Sequence, residues 1–155
     1  MADSQDKIVD GVQSFLESGE TVRAALQAQA RGHTTSMAAG GVARMVGDLK
    51  AHNVHKAAGE AWIRVSSPMG LVLTDRRLLT LEIETSKAMG KATGVRDVMS
   101  AIPLSEVDSV QAKRFGLAGV LLISAHGSEV KLETTKVGLA KAFAEAFATT
   151  PRTPA

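Results

Sequence analysis

The stretch Met69-Gly-Leu-Val-Leu-Thr-Asp-Arg-Arg-Leu-Leu-Thr-Leu-Glu-Ile-Glu84 decides the fold. Two alternating runs meet there at a tight Thr74-Asp75-Arg76-Arg77 turn. From Arg77 onward Leu79, Leu81 and Ile83 share one face, and Thr80, Glu82 and Glu84 share the other. That is the period of a half-buried antiparallel strand. The pattern speaks to architecture and hardly to chemistry.

Downstream of this hairpin, residues 85–99 are small and basic in bias and read as a loop. Ile102-Pro103-Leu104 leads into a strand over 107–115. Residues 120–125 are apolar on both faces, as in a central or covered strand. Residues 129–134 alternate, with Val130 and Leu132 inward and Glu129, Lys131 and Glu133 outward. His126-Gly127 between these two runs is a short hairpin turn, because glycine accepts a positive φ. Leu139, Ala140, Phe143, Ala144 and Phe147 mark one face of a terminal helix, and residues 149–155 form a frayed tail.

Upstream, residues 61–65 and 71–74 read as strands interrupted by Ser66-Ser67-Pro68. Residues 31–60 are rich in Gly, Ala, Met and His. A structureless connection of that length is unusual, so a helical insertion is expected. Within it Val42, Met45, Val46 and Leu49 recur at i, i+3, i+4 and i+7. The stripe can cover the sheet, dock on a second protomer or lie on a membrane surface. Residues 21–30 alternate, with Val22, Ala24, Leu26, Ala28 and Ala30 on one side, and read as the first strand. Before them Ile8, Val12, Phe15 and Leu16 form one face of a short helix, with Gly19 suited to the left-handed residue beyond its end.

The expected order is helix, strand, insertion, several antiparallel strands, helix. Short sequential strands with tight turns favour a curled sheet or barrel, since closure removes exposed edges. The terminal helix is placed to plug one open end. The chain reads as one domain over residues 1–148, with a helix in 1–19 and the insertion at 31–60.

Composition narrows the function. The 155 residues are 45% hydrophobic and 22% charged, an ordinary globular balance. Aromatics are 3%, too few for stacking platforms, and a net charge of +2 does not by itself call for nucleic acid. With no cysteine there are no disulfides, thiolate metal sites or cysteine nucleophiles. Ala2–Asp6 is polar and acidic where the basic start of a leader would stand, and the apolar run 117–123 is far short of a membrane span. A cytoplasmic protein is expected, with peripheral attachment to the inner face of the membrane as the variant.

Three motifs together resemble bacterial PH-like domains, those of the pleckstrin-homology-like fold. They are Leu73-Thr-Asp-Arg-Arg-Leu-Leu79, Ile102-Pro-Leu-Ser-Glu-Val-Asp-Ser-Val110 and Gly127-Ser-Glu-Val-Lys-Leu132, followed by the closing helix. The likeness covers residues 61–148 well and 8–30 loosely. The chain is also similar to small actinobacterial proteins that carry a Gly/Ala-rich insertion before the same hairpin. The resemblance implies a strongly bent antiparallel sheet or partly open barrel of six to seven strands, capped by the C-terminal helix. It implies a recognition module rather than an enzyme. The basic pattern of phosphoinositide-binding members is not met, because the candidate run from Lys56 to Arg64 ends in Ser66.

Candidate chemistry is sparse. Arg76 and Arg77 at the hairpin tip can clamp an anion, or pair with nearby carboxylates while Asp75 takes the turn. Alternation places Arg77 on the Leu79 face, half-buried and paired. Arg76, Lys87, Lys91, Arg96, Lys113 and Arg114 are the candidate anion or partner-binding set, diluted by Asp97, Glu106 and Asp108. His52 and His55 lack the converging ligands a metal needs. Ser124 and His126 have no acid partner in the sequence pattern, and Gly40-Gly41 fits no nucleotide loop. No catalytic residue, metal or cofactor is expected. The function expected is a non-enzymatic protein-binding or scaffolding module that self-associates. The alternative is a peripheral membrane protein engaging anionic lipid.

Overall fold

The computed structural model describes residues 4–30, 63–87 and 90–151. The hairpin read from sequence is β2 (Met69–Thr74) turning into β3 (Arg77–Thr85). Around it lie β1 (Val22–Ala30), β4 (Ala92–Pro103), β5 (Val107–Phe115), β6 (Ala118–Ala125) and β7 (Ser128–Thr134). Helices α1 (Ser4–Val12) and α2 (Val137–Thr149) flank them. The strands form one open antiparallel sheet in the order β4-β3-β2-β1-β7-β6-β5. β1 joins the two halves, pairing with β2 from Val22 to Ala28 and with β7 through Gln29 and Ala30. A bent seven-stranded sheet with a C-terminal helix is compatible with a PH-like fold.

Two hydrophobic clusters hold the sheet. The larger lies inside the bend, where Leu26, Leu71, Leu73, Leu78, Leu121 and Ile123 meet Ala140, Phe143 and Phe147 of α2. The second lies on the other face of β1–β4 and includes Ala92 of β4. There Ile8 and Val12 of α1 bury against Ala25, Val72, Leu79 and Leu81. The Leu79 face of β3 is therefore the floor of the α1 cluster, and Leu78 faces the main core. Because both faces are covered, β2 is buried at all six positions rather than at alternate ones. Fully burying an Ile or Val contributes about 1.5–3 kcal/mol, so α1 is fixed chiefly by Ile8 and Val12.

Five expectations are corrected. Residues 92–99, expected as loop, belong to β4, which pairs with β3 along its length to Pro103. Three register irregularities in that pairing destroy the alternation by which a strand is read. Residues 63–66 form no regular strand, although Ile63 is buried. Val22 faces α1 with Ala25, because a bulge between Val22 and Ala24 shifts it off the Leu26 side. Glu133 is buried at 6% exposure, where β7 passes from β6 to β1. The tail also begins later than expected. Thr149 ends α2, and Thr150 is buried with its hydroxyl donating to the Ala146 carbonyl. His126 and Gly127 have φ of 53° and 79°, as a two-residue type I′ turn requires. The insertion at 31–60, with Val42, Met45, Val46 and Leu49, lies outside the described residues.

Candidate functional site

The Asp75-Arg76 turn is held from below. The Asp75 amide donates to the Thr21 carbonyl at 3.0 Å, and the Thr21 amide donates to Asp75 Oδ1 at 2.9 Å. Thr74 Oγ1 accepts the amides of Arg76 and Arg77 and donates to Glu20 Oε2 at 2.6 Å. Arg77 then makes a two-pronged pair with Glu20, through Nε at 3.0 Å and Nη2 at 2.7 Å. Nη2 also donates to the Phe15 carbonyl at 3.3 Å. The Glu20 side chain is fully buried. Burial pushes its pKa up, but hydrogen bonds from Arg77, Thr74 and the Glu17 amide outweigh that and hold it at about 2. Arg77 is thus structural. It clamps the end of α1's connection to the hairpin, with Nε and Nη2 engaged by Glu20 and the Phe15 carbonyl.

The six cations of the candidate set occupy separate places. Arg76 is exposed at the β2–β3 tip, 4.0 Å from Glu17. Lys87 and Lys91 are exposed on the β3–β4 hairpin, at the other end of β3 and roughly 25 Å away at about 3.3 Å per strand residue. That hairpin is tied to β1 by Gln27, whose Nε2 donates to the Gly90 carbonyl and whose Oε1 accepts the Ala92 amide. Arg96 pairs with Glu82 at 3.2 Å and lies 3.8 Å from Glu84, all on the surface. Lys113 and Arg114 are exposed at the end of β5, on the opposite edge of the sheet from β4.

A groove of about 460 Å³ lies along β4 instead. Met99, Ser100, Ala101, Ile102 and Pro103 all line it, together with Arg64, Glu106 and His126. Successive strand residues point to opposite faces, so five in a row can border one groove only if it follows the strand's edge. That edge is the one not paired with β3. The Arg64 amide donates to Ser100 Oγ at 3.2 Å, and Ser100 Oγ also bonds Thr80 Oγ1, which fixes the groove's inner wall. At its corner His126 Nε2 stands 3.7 Å from Glu106 Oε1. Glu106 is an acid partner for His126 that sequence spacing did not show, since it comes from the turn before β5. Among the described residues no group of three or more His, Asp or Glu is placed to hold a metal ion.

Sequence reasoning missed the groove because residues 85–99 were read as loop and Ile102-Pro103-Leu104 only as a lead into the next strand. It also passed over Phe115 and Leu117, the exposed large hydrophobics at the β5–β6 tip. The available signal was the break in β5's alternation at Lys113-Arg114-Phe115-Gly116-Leu117. Compared with known protein families and with curated proteins, the sequence matches none.

Proposed function

We propose that the chain is a non-enzymatic PH-like protein-binding module that self-associates through the open edge of β4. The observation that carries this reading is the groove along Met99–Pro103. An edge strand presents a row of unpaired amides and carbonyls, and proteins usually guard it with charges, proline or a covering element. Residues 98–103 carry no charge, and the only proline is the last of them. The outer half of the strand is guarded by Arg96 and Asp97. β4 of a second copy, antiparallel across a two-fold axis, would occupy both grooves at once and satisfy both edges. The absence of cysteine is compatible with a cytoplasmic setting.

Light-scattering chromatography of the full chain and of Ala101→Lys tests the reading. Ala101 is exposed, so the lysine disturbs the edge without entering the core. The wild type is expected at twice the chain mass and the variant at the chain mass, with unchanged circular dichroism. A wild-type monomer at every concentration would overturn the reading, and so would a dimer indifferent to the lysine.

A further inference from the structure

We propose that the β5–β6 tip, residues 113–117, docks on an anionic lipid bilayer, with Phe115 and Leu117 entering the headgroup region. The inference does not rest on the β4 edge, which lies at the other side of the sheet.

The five residues Lys113, Arg114, Phe115, Gly116 and Leu117 are all exposed, Leu117 at 88% and Phe115 at 52%. These two are the exposed large hydrophobics among the described residues, and they stand on either side of one turn. Gly116, at φ 63°, lets the chain reverse between them. The tip is not a loose loop. The Val137 amide donates to the Leu117 carbonyl at 3.3 Å, and Gly119 sits so close to α2 that a Cβ there would stand 2.7 Å from Ala140 Cβ. The start of α2, with exposed Lys136, is thereby held beside the tip.

The charge around it is of one sign. No Asp or Glu occurs in residues 109–128 or in 134–144, while Lys113, Arg114, Lys136 and Lys141 do. The carboxylate nearest in the ladder, Glu133, is buried opposite Val120. None of the ion pairs among the described residues uses these four cations. An exposed tip with two apolar side chains and flanking cations matches a deformable, negatively charged interface, where each cation adds about fivefold to partition.

Vesicle flotation tests this with phosphatidylcholine alone and with roughly one-third phosphatidylserine, a content giving a strongly negative surface. The proteins are the wild type, Phe115→Ser/Leu117→Ser and Lys113→Gln/Arg114→Gln, each checked for an unchanged melting curve. The wild type is expected to float with the serine-containing vesicles, Lys113→Gln/Arg114→Gln to lose about twenty-five-fold in partition, and Phe115→Ser/Leu117→Ser to lose at least about tenfold. Added salt should release the wild type. Three results would overturn the proposal. The wild type could fail to bind, or the variants could bind as it does. Alternatively, the tip variants could lower the solution mass, which would make the tip a contact with a second copy.

Discussion

Glu20 is the residue on which the hairpin's position turns. Its side chain is fully buried, it takes two hydrogen bonds from Arg77 and one from Thr74, and its pKa is held at about 2 against an ordinary 4.5. A carboxylate whose folded pKa is depressed stabilises the fold above its unfolded pKa. That stability is lost as pH falls through the folded value. The window here is therefore pH 4.5 down to about 2, and the contribution is on the order of 3 kcal/mol. Glu20→Ala should cost about 3 kcal/mol at neutral pH in urea unfolding, because it strands Arg77 without its buried partner. Glu20→Gln should flatten the acid limb of stability between those two pH values. Half of this was legible in the sequence. Alternation placed Arg77 on the Leu79 side and half-buried, as it is. Its partner was not legible, since Glu20 lies 57 positions away and only the folded register brings them together.

Among the elements, α1 is set by one close approach. A Cβ on Gly11 would stand 2.8 Å from Val95 Cγ2 and 2.9 Å from the Val95 backbone nitrogen. On an exposed helix Gly→Ala stabilises by about 1 kcal/mol. Here Gly11→Ala should instead destabilise, by about 1–3 kcal/mol, since the backbone of β4 cannot yield as a side chain does. Denaturant melts of this variant decide the sign. Gly119→Ala should cost a similar amount by pushing α2 off β6, where Ala140 Cβ and the Lys136 carbonyl stand in the way. Elements with clean periodicity were readable: both helices, β3, β5 and the β6–β7 hairpin. β4 was not, because irregular register with β3 leaves Ala92-Thr-Gly-Val-Arg-Asp without alternation. The single bulge in β1 similarly hid the side that Val22 takes.

At the scale of the whole molecule, the sheet is covered twice and guarded unevenly. α2 closes the inside of the bend, and α1 covers the back of β1–β4. Each edge is left without a strand partner among the described residues, and the two differ in chemistry. β5 carries Asp108, Lys113 and Arg114, whereas residues 98–103 of β4 carry no charge. The antiparallel, helix-capped architecture could be read from the hairpin outward, whereas the set of strands could not, since one was expected at 61–65 and β4 was passed over. The sites could not, because each depends on which edges stay open once the sheet is assembled. The groove, for example, gathers Arg64, Met99, Glu106 and His126 from four separate stretches.

The most direct test of self-association through β4 is residue-resolved amide hydrogen exchange across 98–103 in the full chain, at low and at high protein concentration. Amides that point away from β3 have no strand partner among the described residues. The account predicts that these amides become strongly protected as concentration rises, and that Ala101→Lys removes the protection while leaving the β3-bonded amides unchanged. Fast exchange of the outward amides at every concentration would contradict it.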